Sequence, residues 1–156
     1  MARPSANISP TVHNRKALHD YFIDGKLECG IVLVGSEVKS LRVGRANLQD
    51  AYARIDAGEL FLIDAHIDPY EKAAIVFNHE PRRARKLLLH RRELRKLESA
   101  IQRRGTTLVP LRIYFKDGRA KVEIAVAHGK KQHDKRQSIR QRESDREMRR
   151  IMTRRG

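Results

Sequence analysis

The apolar residues of this chain run out before the chain does. All eight aromatic side chains lie between Tyr21 and Phe115, and the last stretch that alternates like a strand ends at Ala127. Over residues 128–156 the only aliphatic or Met side chains are Ile139, Met148, Ile151 and Met152. The same segment carries 11 Lys and Arg against 4 Asp and Glu, which is +7 of the formal +15 on the 156-residue chain. So little apolar surface cannot offset the entropy of ordering so many residues. The chain therefore divides into a flexible N-terminus (1–12), a folded body (13–128) and a basic C-terminal tail (129–156).

Within the body, Asn14 is placed to cap a short helix over 15–22 that closes near Gly25. Residues 27–34 contain Ile31, Val32, Leu33 and Val34 in succession and read as a buried strand. Gly35-Ser36 opens a short helix over 37–42, ended by Gly44. Residues 51–55 and 60–67 alternate like half-buried strands around the tight turn Asp56-Ala57-Gly58. A loop bounded by Pro69 and Pro81 and carrying His79 covers 69–81, and the apolar run 86–89 reads as a strand. A helix follows over 91–104, with Leu94, Leu97 and Ile101 as its apolar stripe and Gly105 at its end. Residues 107–115 and 119–127 are the clearest strands, joined by Lys116-Asp117-Gly118. Five or six short strands with a helix before the last pair predict a mainly β fold, a small closed barrel of the OB type.

A net charge this large predicts attraction to a polyanion, with binding that weakens as salt rises. The single cysteine, Cys29, leaves no partner for an intrachain disulfide and suits a reducing compartment. The first ten residues lack the apolar core of a secretory signal, and no stretch approaches the roughly 18–20 apolar residues of a membrane span. A cytoplasmic protein with no membrane association, monomeric when free, is expected. Catalysis and metal binding find little support. His79-Glu80-Pro81 is not a His-Glu-x-x-His motif, His128 and His133 stand five apart among lysines, and Cys29 begins a buried strand. Each histidine reads first as structural. No enzyme, metal or cofactor is expected.

The tail invites a helical reading. Ile139, Met148, Ile151 and Met152 are taken to share much of one face, with Arg140, Arg142, Arg146, Arg149 and Arg150 largely elsewhere. Glu143 and Arg146 stand at a spacing that can pair. Alone such a helix is marginal, because its arginines repel and it buries little. Between walls of RNA the repulsion is neutralised, so a tail disordered in solution becomes helical on its target.

Several blocks resemble one family. They are Asn14-Arg15-Lys16-Ala17 with His19-Asp20-Tyr21-Phe22-Ile23, the run 30–42 (GIVLVGSEVKSLR), Gly44-Arg45-Ala46-Asn47-Leu48, Asn78-His79-Glu80-Pro81, the run 85–90 (RKLLLH), and Gly129-Lys130-Lys131-Gln132-His133-Asp134-Lys135-Arg136. Together they are similar to the SsrA-binding protein (small protein B) family, in register from about Asn14 to Met152. The family's partner is transfer-messenger RNA, and its task is to load that RNA onto ribosomes stalled without a usable codon. The resemblance implies an OB-like barrel with flanking helices and a tail unstructured in solution. Cys29 departs from the family's usual small residue, and Ser144 stands where some members have an aromatic.

Carried over by position, the resemblance implies body contacts with the tRNA-like domain at Asn14, Glu28, Lys86, Leu88, His90 and Lys121, with Lys39, Arg42, Arg45 and Asn47 nearby. Taken alone, Glu28 reads as a solvated or ion-paired strand residue. At an RNA surface its use is to accept hydrogen bonds from the Watson–Crick edge of an unpaired base, guanine being the best suited. Leu88 by itself reads as core. The cations position the RNA rather than read it. For the tail the resemblance implies ribosome contacts at the decoding centre and mRNA path through Gly129, Lys130, Lys131, His133, Asp134, Lys135 and Arg136, with Arg142, Ile151 and Met152 farther along. His133 is a candidate to stack on a ribosomal base. A ribosomal or ribosome-assembly protein fits the charge and size equally well, and only the motif blocks separate the two readings.

Overall fold

The computed structural model describes residues 10–130 and 132–154. In chain order it holds β1 (Val12–His13), α1 (Arg15–Asp20), β2 (Tyr21–Ile31), α2 (Gly35–Arg42), β3 (Ala46–Asn47), β4 (Tyr52–Asp56), β5 (Glu59–Ile63) and β6 (His66–Ile67). A 3-10 turn (Ile75–Phe77), β7 (Arg85–Leu88), α3 (Arg91–Ile101), β8 (Thr106–Lys116), β9 (Arg119–Gly129) and α4 (Gln132–Arg154) complete it. The fold is mainly β: seven antiparallel strands in the order β1-β8-β4-β5-β7-β2-β9, with β3 and β6 paired separately. β9 pairs along its length with both β2 and β8.

Two tight turns set the register of the long hairpins. Ala57-Gly58 and Asp117-Gly118 have positive φ at both positions, 49° and 76° in the first and 53° and 77° in the second. Their twist matches that of the flanking strands, and the closing pairs are Asp56 with Glu59 and Lys116 with Arg119. With the registers fixed, inward positions alternate. Leu60 and Leu62 of β5, Leu87 of β7, and Val122 and Ile124 of β9 are all buried in one core. The stripe of α3 behaves as its spacing requires: Leu97 is buried in that core, and Leu94 and Ile101 pack against it. A second cluster, Ala17, Val109, Leu111, Ala125 and Ala127, lies beneath α1.

Several boundaries move. The helix predicted over 15–22 ends at Asp20, because Tyr21 is already extended (φ −130°, ψ 144°) and paired with Gly129. The strand predicted over 27–34 is β2, which begins six residues earlier and shifts register between Ile23 and Gly25. The predicted run 60–67 is broken by Asp64, at φ 58°, into β5 and β6. β1 begins at Val12, which pairs with Ile113, so a strand reaches into the segment 1–12. Residues 1–9 lie outside the described residues.

The loop that follows β6 is held from inside. Glu37 and Arg85 are fully buried and paired with each other, and Arg83 also meets Glu37 at 2.5 Å. Arg85 donates to the carbonyls of Ala65 at 2.7 Å and Pro81 at 3.0 Å. His79 Nε2 lies 2.8 Å from the Ile67 carbonyl, which can only accept, so Nε2 donates; Nδ1 lies 2.8 Å from Ser36 Oγ. This histidine is structural, as expected. The Asn78 amide donates to the Tyr70 carbonyl and accepts its N–H.

The tail is helical over Gln132–Arg154. At 3.6 residues per turn, the nine residues from Ile139 to Met148 amount to about two and a half turns. That puts them on opposite sides, so the shared apolar face is Met148, Ile151 and Met152 only. All four side chains are exposed. A helical pair is present at Gln141 and Asp145, 3.1 Å apart. Among the described residues no helix is long and apolar enough to cross a membrane.

Candidate nucleic-acid interface

Strand register carries the outward face of β7, β2, β9 and β8 across the sheet. Leu88 pairs with Gly30, Gly30 with Lys121, and Lys121 with Tyr114, making one row. The adjoining row places Glu28 opposite Glu123, and Glu123 opposite Arg112. Lys86, two residues from Leu88, shares its face of β7 and reaches Glu59 at 3.0 Å. Three of the predicted body residues, Glu28, Leu88 and Lys121, thus come together here, with Lys86 at the border.

Leu88 corrects its sequence-only reading. It is 51% exposed, because β7 alternates with Arg85 and Leu87 inward and Lys86 and Leu88 outward. Gly30 beside it bears no side chain, and a Cβ there would sit 3.3 Å from the Leu88 Cβ. The space left open is a groove of about 370 Å³, lined by Leu88, Lys121, Phe115 and Val38 among others. An apolar wall beside a lysine is what a flat, polar-edged base needs for stacking and charge neutralisation.

Glu28 and Glu123 face each other across the β2–β9 pair, an arrangement that repels unless each carboxylate has another partner. Each does. Arg112 holds Glu123 at 3.1 Å, while Glu28 accepts from the Tyr114 hydroxyl and has Lys116 at 3.5 Å. The Tyr114 hydrogen bond, helped by Lys116 and Lys121, holds the Glu28 carboxyl below the usual carboxylate range. Burial and the same Glu28 contact push the Tyr114 phenol up to about 12, so it is a donor at neutral pH. Glu28 is an exposed, ionised acceptor aimed outward.

Of the other predicted cations, Arg42 reaches the groove through Phe115, while Lys39 and Arg45 lie by Tyr70 and Glu71, which line a separate hollow. The Arg42 guanidinium lies 4.7 Å from the Phe115 ring, and Lys39 lies 5.3 Å from the Tyr70 ring. Arg45 pairs with Glu71. Asn47 is exposed and accepts from the Gln49 N–H at 2.8 Å. His90, exposed at the start of α3, has its N–H bound by the Glu93 carboxylate at 3.1 Å.

Asn14 is elsewhere. It is only 5% exposed. Its Oδ1 caps α1 at the Ala17 N–H, and its Nδ2 donates to the carbonyls of Leu48 and Pro110. Its side-chain hydrogen bonds are thus made inside the fold. Cys29 is buried, and burial pushes its thiol up to about 12, which makes it inert.

At the root of the tail, Gly129 closes β9 and the Lys130 N–H donates to the Asp20 carbonyl at 2.9 Å. The Lys130 ammonium lies 5.1 Å from the Phe22 ring, which contacts His128 at 5.3 Å. Lys131 lies outside the described residues, as do the side chains of His133, Asp134 and Lys135. Arg136, Arg142, Ile151 and Met152 are exposed on α4. Sequence reasoning missed Arg112, Tyr114 and Phe115. The alternation over 112–116 marks Arg112 and Tyr114 as outward, but only strand order shows that they share a face with Glu28.

The family profile described as "SmpB protein" matches residues 11–154. Curated relatives include an "SsrA-binding protein" of Symbiobacterium thermophilum, 56% identical over 153 residues and covering 97% of this chain and 96% of the relative. Another, of Chloroflexus aggregans, is 52% identical over 155 residues, covering 99% and 98%. A solved chain from a structure described as "tmRNA-SmpB: a journey to the center of the bacterial ribosome" aligns with a TM-score of 0.68 at 47% identity, covering 84% of this chain and 95% of that one. With nearly its whole length matched at this level of identity, the chain belongs to the SmpB protein family.

Proposed function

We propose that this chain binds the tRNA-like domain of transfer-messenger RNA and delivers it to stalled ribosomes for trans-translation, in which the nascent peptide is tagged for degradation. The observation that carries this is the near full-length match to SsrA-binding proteins. The outward row of Leu88, Gly30 and Lys121, with Glu28 beside it, supplies the body's contact surface. There Glu28 accepts from the edge of an unpaired base and Leu88 packs on a base. Lys86, Lys121, Arg42, Arg45 and Lys39 hold phosphates, and His90 and Asn47 lie at the margin. The chain acts by binding rather than turnover, in the cytoplasm, as a monomer when free.

The body is a closed OB-like barrel in this reading, supported by β9 pairing with both β2 and β8. The tail, 129–156, is disordered in solution and takes the helical form of α4 in the mRNA path of the ribosome. Its root, Gly129 with Lys130 and Lys131, lies near the decoding centre with His133, Asp134, Lys135 and Arg136. Arg142, Ile151 and Met152 run along the path. Truncation after Ala127 tests the division of labour. Affinity for transfer-messenger RNA is retained and tagging on stalled ribosomes is lost; tagging by the truncated chain overturns the reading. Sequencing the RNA that co-purifies with the chain separates this function from that of a ribosomal protein.

A further inference from the structure

A carboxylate that reads a base edge has to present its oxygens in one plane. A glutamate on an exposed strand has three rotatable bonds that scatter them. Glu28 is exposed, and among the described residues its side-chain hydrogen bonds run to another strand. What holds it comes from two strands away. Tyr114 of β8 lies diagonally across β9, in register with Lys121, and its hydroxyl donates to Glu28. The ring that carries this hydroxyl is itself fixed. The Arg112 guanidinium lies 4.4 Å from its centroid, and Arg112 is in turn held by Glu123 through Nη2 at 3.1 Å and Nε at 3.3 Å. Glu123, Arg112, Tyr114 and Glu28 form a chain of contacts with no freely rotating member.

We infer that Tyr114 is a positioning residue for RNA recognition: its hydroxyl, on a ring stacked with Arg112, fixes the direction in which the Glu28 carboxylate meets a base. This rests on Glu28 being the base-reading group of the proposed interface. The hydroxyl occupies one acceptor site of a carboxylate that has about four, so the outward lone pairs stay available to the N–H groups of a base. Preorganisation of this kind strengthens binding by removing the ordering cost from the bound state. The groups facing Glu28 are Tyr114 and Lys116 from β8 and Lys121 and Glu123 from β9. Lys116, at 3.5 Å, is a looser tether on a flexible stem.

Tyr114→Phe keeps the ring and its stack with Arg112 and removes only the hydroxyl. The measurement is the affinity of the full chain for a transcribed tRNA-like domain of transfer-messenger RNA, in a double-mutant cycle with Glu28→Ala. Tyr114→Phe weakens binding about tenfold when Glu28 is present, in the range of a hydrogen bond to a charged group. It weakens binding less than about twofold when Glu28 is absent, since it has nothing left to orient. In the free chain, the NMR titration of the Glu28 carboxyl carbon moves up toward the ordinary carboxylate value in Tyr114→Phe. An equal loss in both backgrounds, or no loss in either, overturns the positioning role. If Glu28→Ala weakens binding and Tyr114→Phe does not, the role of Tyr114 alone falls. If Glu28→Ala binds as tightly as the native chain, the reading of Glu28 falls and this inference with it.

Discussion

Glu37 and Arg85 show how much a single buried pair can govern. Burial raises the Glu37 carboxyl, but Arg83, the Val34 amide and Arg85 together more than offset it and leave it lowered. A carboxylate lowered in the folded state stabilises above its unfolded value, about 4.3, and that contribution is lost as pH falls through the folded value. Denaturant titrations of the native chain should therefore show stability declining below about pH 4.3, and Glu37→Gln should flatten that decline. Arg85→Met leaves Glu37 buried with only one guanidinium, itself partly exposed. We expect a loss of about 3–5 kcal/mol, read from chemical denaturation. None of this is legible in the sequence. A buried arginine at an inward strand position looks like surface, and the Leu87-Leu88-Leu89 run hides the alternation that turns Leu88 out. Glu28 was singled out by resemblance, because a strand carboxylate has no local mark of what it faces.

At the scale of elements, the turns and stripes were readable because their causes are local. The turns Ala57-Gly58 and Asp117-Gly118 each end in a glycine that takes positive φ freely, and the Leu94–Leu97–Ile101 spacing dictates a helix face. Boundaries failed where a distant strand decides, as at Tyr21, which pairs with Gly129 instead of continuing α1. Asn14 belongs to both categories: its cap of α1 was readable, its bonds to Leu48 and Pro110 were not. Asn14→Ala should cost about 1–3 kcal/mol, seen as a lower thermal midpoint, with RNA affinity nearly unchanged at temperatures where the chain is folded. The 3-10 turn in the loop after β6 behaves differently. Phe77 is 80% exposed and follows Ile75 and Val76, which are more exposed still. Phe77→Ser should change unfolding free energy by no more than about 0.5 kcal/mol.

For the whole molecule, charge sets the response to salt. If Lys39, Arg42, Arg45, Lys86 and Lys121 each displace a counterion, the plot of log affinity against log salt has a slope of about −3.5 to −4.5, and replacing any one of them by Ala makes it shallower by about 0.7 to 0.9. Filter binding across a salt series reads this directly. The tail adds a mechanical element. α4 has 23 residues, so at about 1.5 Å of rise per residue it is a rod of about 34 Å. It also behaves as a screw. Each residue deleted from its first turn draws the far end in by about 1.5 Å and rotates it by about 100°. A seven-residue deletion nearly restores the azimuth of Met148, Ile151 and Met152 while shortening the reach by about two turns. A five-residue deletion shortens it less but turns those side chains to the opposite side. Tagging activity across such a deletion series would show whether phase or reach is the quantity the tail delivers.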